Sequence, residues 1–482
     1  MLNSCLKTYT YGQDKACVPE ETIEKALASL TQSKATIFSE IVCLDKMDRI
    51  GIPAYTCKIN QDVAKALKFE ETYGKGITPE QAKASALMEL IERYSGFMYL
   101  KNTNHFIIAP YKEIKEKAIP LDSLLHPIPF YYRDNKILEI LESIPLAWVK
   151  AYSFKQDKEV LFPLPWFYRI YGTTGWAAGN TLEEAVLQAL QEIVERHCIS
   201  LVIEGKKIVP TINIDSIKSP LVQGLIEKIK NAGIEIFIKD FSLDLGIPTL
   251  AVITHDTHAL ISTIKIYAAA GSHLNPELAV IRALNELAQH RAHMLYRELV
   301  QKRPGAPTYC FPRFKDLTSA KFLLDGEKID FTSVPSFSHP DFKIEIERVL
   351  DLLSQKHLEG FVIETTHPDL DIPAVITVVP GARLNRPSAK LHPYLLIARQ
   401  LMDIGYYSQA VVYLEKALDA EPSYLQVPQI VCQVAVCYKK AGQYPKAIEY
   451  FQQALLLAPQ LMNSPKFLAD FAEIIQKEKH LS

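Results

Sequence analysis

Three stretches of this sequence align with one another without gaps: TPEQAKASALMELIERY from Thr78, TLEEAVLQALQEIVERH from Thr181 and NPELAVIRALNELAQHR from Asn275. Such repetition constrains the fold more tightly than composition, because each copy must be the same structural unit used again. Each copy opens on Thr or Asn, natural helix N-caps, places Pro or Leu at the first helical position and Glu just after, and continues in strong helix formers. The pattern predicts three helices of about 16 residues. Each follows a turn of small residues: Gly74-Lys75-Gly76, Ala177-Ala178-Gly179-Asn180 and Ala269-Ala270-Gly271-Ser272.

A second unit recurs as DRIGIPAYT from Asp48, DLGIPTLAVI from Asp244 and DLDIPAVITV from Asp369. An Ile-Pro step before a β-branched, apolar run reads as a turn entering a strand, with Pro where its missing N–H does least harm. Residues 1–385 are therefore expected to form one α+β or α/β domain of repeated sheet and helix units, its last strand ending near Val379-Pro380-Gly381. The polar segment ARLNRPSAKLHP reads as a linker. Beyond it, over 394–482, Gly405-Tyr406-Tyr407, Ala410, Tyr413, Ala417 and Pro422 recur 37 positions later as Gly442-Gln443-Tyr444, Ala447, Tyr450, Ala454 and Pro459. That pattern resembles tetratricopeptide repeats, whose usual period of about 34 implies a short insertion. Two such units and a final helix make an all-α module suited to binding a partner.

Within the three helices, polar residues fall in matching columns: Ser85, Gln188 and Arg282; Glu89, Glu192 and Glu286; Glu92, Glu195 and Gln289. Spacings of four and three place each set on one face, and the middle helix extends the stripe back to Glu184. Leu182, Ala185, Val186, Ala189, Leu190, Ile193 and Val194 supply the opposite, apolar face. A single stripe of this kind is usually a solvated surface. A solvated surface has no reason to repeat Glu-x-x-Glu or Gln in register three times. Clustered carboxylates repel unless cations neutralise them, and magnesium binds through a few carboxylates together with nucleotide phosphates. Neither a GxxxxGK[ST] phosphate loop nor a GxGxxG turn between strand and helix is found. Gly74-Lys75-Gly76 is equally consistent with a bend and with a phosphate contact.

These segments resemble the signatures of the YcaO family: GKGITPEQAKASALMELIERY the first, AAGNTLEEAVLQALQEIVER the second and GSHLNPELAVIRALNELAQHR the third. YGQDKACVPEETIEKA and DIPAVITVVPG are similar to its N-terminal segment and closing strand, so the resemblance spans residues 8–382. It implies an α+β fold and an ATP- and Mg2+-dependent enzyme that phosphorylates the oxygen of a peptide-backbone amide. Carried over by position, it implies nucleotide contacts at Lys15, Thr22, Ser85, Asn180, Glu184, Gln188, Arg196 and Arg282. It likewise implies magnesium ligands at Glu89, Glu92, Glu192, Glu195 and Glu286. Azoline-forming relatives commonly end in a proline-rich tail, whereas this chain ends KEKHLS. No fused leader-capturing domain is recognised either. Both points favour thioamide formation or related sulfur insertion on a peptide or protein substrate, with a separate partner protein for substrate recognition or sulfur delivery docking on the repeats. The resemblance also suggests a homodimer.

An azoline-forming cyclodehydratase of peptide natural products is the second reading. A non-catalytic, ATP-binding accessory or scaffold factor acting through its repeats is a third, of another class. With 53 basic and 55 acidic residues and no long run of either sign, no electrostatic case exists for nucleic acid or a membrane surface. The eight cysteines, Cys5, Cys17, Cys43, Cys57, Cys198, Cys310, Cys432 and Cys437, form no CxxC pair and suit reduced thiols. No secretory segment or long apolar window is seen, which points to the cytoplasm. No general base is assigned. His197, His273 and His293 are the candidates, with His273, beside the third turn, the best placed.

Overall fold

The structure, a computed structural model, describes residues 2–129, 132–303, 311–384, 391–420, 422–423 and 426–479. Cys310 and half of the expected linker, residues 385–390, lie outside them. The chain forms two compact units: Met1–Thr103, Ala151–Glu159 and Thr173–Asn385 in the first, and Asn104–Lys150, Val160–Gly172 and Arg386–Ser482 in the second. The expected boundaries, 1–385 and 394–482, are contiguous in sequence, whereas these units are not. The stretch around 104–172 carries none of the repeat signals from which those boundaries were read.

The first unit is three copies of one device. β1 (Ala54–Ile59) pairs antiparallel with β2 (Glu71–Lys75), which leads into α1 (Pro79–Lys101). β3 (Trp176–Ala178) leads into α2 (Leu182–Gly205). β4 (Thr249–His255) pairs with β5 (Ile266–Ser272), which leads into α3 (Pro276–Leu295). After α4 (Phe342–Ser354), β6 (Ala374–Val378) returns to pair with β3. The register is the same each time: Ala54, Thr249 and Ala374, each just after an Ile-Pro step, face Lys75, Ser272 and Ala178, each three residues before a helix cap. The recurring Ile-Pro strand is thus the partner of the strand that launches the helix. In the middle copy that partner comes from far downstream.

The N-caps are as the sequence predicts. Thr78 Oγ1 accepts from Gln81 N–H (3.2 Å), Thr181 Oγ1 from Glu184 N–H (3.2 Å) and Asn275 Oδ1 from Glu277 N–H (2.9 Å). The helices are longer than the expected 16 residues, at 23, 24 and 20. Their burial continues past the aligned segments, through Tyr94, Ser95 and Gly96 in α1 and Cys198, Ile199 and Val202 in α2. Strand and helix approach so closely that a Cβ on Gly74 would lie 1.9 Å from the Ala82 carbonyl oxygen, and one on Gly271 2.4 Å from that of Ala279. Only glycine permits that contact. The apolar faces of α2 and α3 are buried in two cores, built around Val186, Leu190 and Val194 in one and Ile281, Leu284 and Leu287 in the other.

In the second unit, α5 (Pro393–Asp403) and α6 (Tyr407–Asp419) form one helical hairpin, α7 (Val427–Lys440) and α8 (Tyr444–Leu457) another, and α9 (Pro465–Lys479) follows. Gly405 and Gly442 take φ of 85° and 75° at the two bends, which explains their recurrence in the sequence. Ala410, Ala417, Ala447 and Ala454 are buried where helices approach closely. Residues 421, 424 and 425, between the two hairpins, lie outside the described residues. No helix among those described is long and apolar enough to cross a membrane.

Candidate active site

Four of the implied site residues meet at the start of α2. Thr22 Oγ1 donates to Asn180 Oδ1 (3.1 Å), and Asn180 Nδ2 donates to Glu184 at 3.3–3.4 Å. Lys15 Nζ donates to Glu184 Oε1 (3.1 Å), and Ala16 N–H to Oε2 (2.9 Å). Glu184 sits in the first helical turn, where the aligned peptide dipoles favour negative charge.

Further along the helices the glutamate columns converge on shared cations. Glu89 accepts from Tyr73 N–H (2.8 Å) and Arg93 (3.0 Å), and Arg93 lies 3.1 Å from Glu92. Glu192 accepts from Gly175 N–H (3.0 Å). Arg196 lies 2.6 Å from Glu195 and 3.7 Å from Glu192 on its own helix, and reaches across to Glu286 on α3 at 3.2 Å. Lys75, from the end of β2, pairs with the other Glu286 oxygen. One turn back, Arg282 Nη1 donates to Gln188 (3.0 Å) and Gln191 (3.4 Å), joining α3 to α2. Ser85 is half-buried on α1, one turn before Glu89, and bonds to none of the other implied residues.

The solvated-face alternative fails on burial: Glu184, Glu195 and Glu286 are 3%, 2% and 4% exposed. Burying carboxylates shifts their ionisation. Burial pushes Glu92 well above the usual carboxylate range, Arg93 opposing and Glu89 and Glu192 adding to the shift. Burial likewise raises Glu195 to about 7 against the pull of Arg196, with Glu286 adding. Burial works to raise Glu286 too, but Lys75 and Arg196 outweigh it and hold that group low.

Five glutamates thus face three cations, and two of the five resist ionisation. Fully deprotonated, this all-oxygen donor set would outnumber its cations, which fits a hard divalent ion. The glutamates do not form a tight cage. Among the described residues, the one set of three whose donor atoms lie within 4.8 Å of one another is Asp14, His273 and Glu345. The glutamate columns are more open than that, as suits magnesium, which takes most of its ligands from phosphate and water.

The sequence reading missed Arg93 and Gln191 and left the role of Lys75 open. A signal for Arg93 was present: Glu89-x-x-Glu92-Arg93 repeats as Glu192-x-x-Glu195-Arg196, with His290 in the third helix 4.0 Å from Glu286. The histidine candidates are all pushed down by burial: His197 to about 4, His293 to about 3, and His273 well below its usual value. His197 Nδ1 accepts from Arg383 N–H (2.8 Å) and His273 Nδ1 from Asn275 N–H (3.0 Å). The His293 ring lies 3.7 Å from that of Tyr73. These are the settings of structural histidines.

The family model for the YcaO cyclodehydratase, described as ATP- and Mg2+-binding, matches residues 73–383, and tetratricopeptide models match 391–424 and 430–461. An uncharacterized protein of Methanothermobacter thermautotrophicus is 30% identical over 386 residues, covering 76% of this chain and 94% of its own. Among solved structures, a heterocyclase in complex with substrate and cofactor superposes with a TM-score of 0.66 at 23% identity over 80% of this chain. The alignment spans 54% of that heterocyclase's length. The YcaO of Methanopyrus kandleri bound with AMPPCP and Mg2+ gives 0.60 at 20% identity, covering 78% of this chain and 94% of its own. The three-fold strand and helix device, its glutamate columns and these matches agree, and the chain belongs to the YcaO family.

Proposed function

We propose that this protein uses ATP and Mg2+ to phosphorylate the oxygen of a peptide-backbone amide, activating its carbon toward a nucleophile. The observation that carries the reading is the joining of carboxylates from α2 and α3 through Arg196, on the same helix whose first turn carries the Lys15, Thr22, Asn180 and Glu184 group. In this reading Lys15, Thr22, Ser85, Asn180, Glu184, Gln188, Arg196 and Arg282 hold the nucleotide, and Glu89, Glu92, Glu192, Glu195 and Glu286 hold magnesium. The residues 1–385 carry the chemistry, and 394–482 dock a partner protein.

An amide resists attack because resonance gives its C–N bond partial double-bond character. Bound ATP and magnesium would supply the phosphoryl group and spread its charge during transfer. The protein's own part is to hold the two reactants in line and to place Arg196 and Arg282 against that charge. Once phosphorylated, the amide oxygen departs as part of phosphate when a nucleophile has added at carbon. External sulfide gives a thioamide or a related sulfur-inserted product, the reading proposed here. A neighbouring Cys, Ser or Thr gives an azoline, the second reading, which the family's description as a cyclodehydratase favours.

A peptide labelled with 18O in its backbone carbonyls tests the shared step. Label is expected in the released phosphate with either nucleophile, and product mass with and without sulfide separates the two. Released phosphate that carries no label from the peptide would refute amide activation and leave plain ATP hydrolysis.

A further inference from the structure

The N-terminal residues hold a buried ionic cluster that the proposed chemistry does not use. The Lys7 side chain is 2% exposed, and its ammonium lies 2.6 Å from both Asp14 and Glu345, themselves 8% and 0% exposed. His273 Nε2 is 3.4 Å from Asp14. Asp14, His273 and Glu345 are the trio whose donor atoms come within 4.8 Å, and the Lys7 ammonium already supplies positive charge there.

This cluster sits at the base of a small hairpin. Tyr9 and Lys15 exchange backbone hydrogen bonds (3.0 and 2.9 Å), and Gly12 takes φ of 68° at the bend. The hairpin and the residues before it are stitched to the start of all three repeat helices. Gln81 of α1 donates to Tyr9 Oη (3.0 Å) and to the Tyr11 carbonyl (2.7 Å). Glu183 of α2 accepts from Asn3 N–H (2.8 Å), and His273, in the turn before α3, meets Asp14. The returning strand ends at Lys15, whose ammonium meets Glu184.

We propose, resting on the nucleotide reading of Lys15 and Glu184, that Lys7 is a positioning residue: through Asp14 and Glu345 it fixes the hairpin that presents Lys15 to the nucleotide. A surface ion pair is a weak anchor, whereas breaking a buried one leaves charge uncompensated and releases whatever segment it held. Lys7 ties the returning strand of the hairpin, through Asp14 next to Lys15, to Glu345 on α4.

A double-mutant cycle on the full chain tests this, with Mg-ATP affinity read by calorimetry and unfolding midpoints recorded separately. Lys15→Met is expected to weaken binding on the order of tenfold, the loss of one charged hydrogen bond. Lys7→Met is expected to weaken it comparably, and the double variant no more than Lys15→Met alone, because Lys7 acts through Lys15. If Lys7→Met does not fold, Asp14→Asn, which keeps the side chain's shape, takes its place in the cycle. Unchanged affinity in the Lys7 or Asp14 variant, or an additive loss on top of Lys15→Met, overturns the positioning role while leaving the nucleotide site standing. A folded wild type that binds no Mg-ATP overturns the nucleotide reading, and the positioning role with it.

Discussion

Replacing Arg196 with methionine removes a guanidinium that joins the carboxylates of α2 to those of α3. At separations of 2.6 and 3.2 Å, each of its close pairs carries a gross attraction of roughly 5 kcal/mol at an effective dielectric near 20. Desolvation of the charges offsets much of this, and breaking buried pairs costs about 3–5 kcal/mol net. The first unit's unfolding midpoint should fall by roughly 5–10 °C in the absence of metal. Magnesium should then matter more to the variant than to the wild type, because Arg196 no longer competes for Glu195 and Glu286. At a hundredfold its dissociation constant, magnesium would return about 2.7 kcal/mol. Differential scanning fluorimetry of both proteins, with EDTA and with a magnesium series, reads the two effects together. A variant that melts with the wild type in EDTA, or gains no more from magnesium than the wild type does, would refute the claim that Arg196 neutralises a metal-ready cluster.

Magnesium affinity should also depend on pH. Glu195, held near 7 against an ordinary 4.5, must lose its proton to bind metal, so affinity should be about tenfold weaker at pH 6 than at pH 8. In the metal-free protein the sign is opposite for stability: the protonated Glu195 stabilises the fold, and that contribution fades as pH rises from about 4.5 to 7. Glu195→Gln should flatten both profiles, read by calorimetry and by the midpoint against pH. Gly74→Ala should cost roughly 3 kcal/mol in a denaturant titration, because its Cβ meets the Ala82 carbonyl at 1.9 Å. It should weaken Mg-ATP binding as well, since the same strand gives Glu89 its Tyr73 N–H. Gly224→Ala, with nothing within 4 Å of the added carbon and a helix around it, should leave stability level or slightly raised in the same titration.

Much of this was legible in the sequence because the fold repeats itself. The N-caps, the launching turns, the Ile-Pro strands and the glutamate columns each appear three times, and repetition separates a constraint from a coincidence. Helix ends were less legible. The aligned segments stop where the copies diverge, yet burial continues through Cys198 and Val202, so α2 runs on. Strand pairing was also hidden. That β6, besides pairing with Phe361–Glu364 just before it, also pairs with the distant β3 is a long-range choice with no local signature, visible only in the shared register. The grouping of residues 104–150 with the C-terminal helices had no motif to announce it. Arg93 was missed for a different reason. The columns were read for carboxylates, and the cation following the first pair was passed over, although Arg196, its counterpart after the second, was carried in by the resemblance and a buried carboxylate pair requires such a partner.

The central claim is that the glutamate columns form a magnesium and nucleotide site, and ATP titration by calorimetry with and without magnesium tests it most directly. The proteins to compare are the wild type and the Glu89→Ala, Glu192→Ala double variant, both shown to be folded. The account predicts magnesium-dependent binding in the wild type that is lost in the variant. A folded wild type that binds no nucleotide, or a variant that binds as the wild type does, would contradict it.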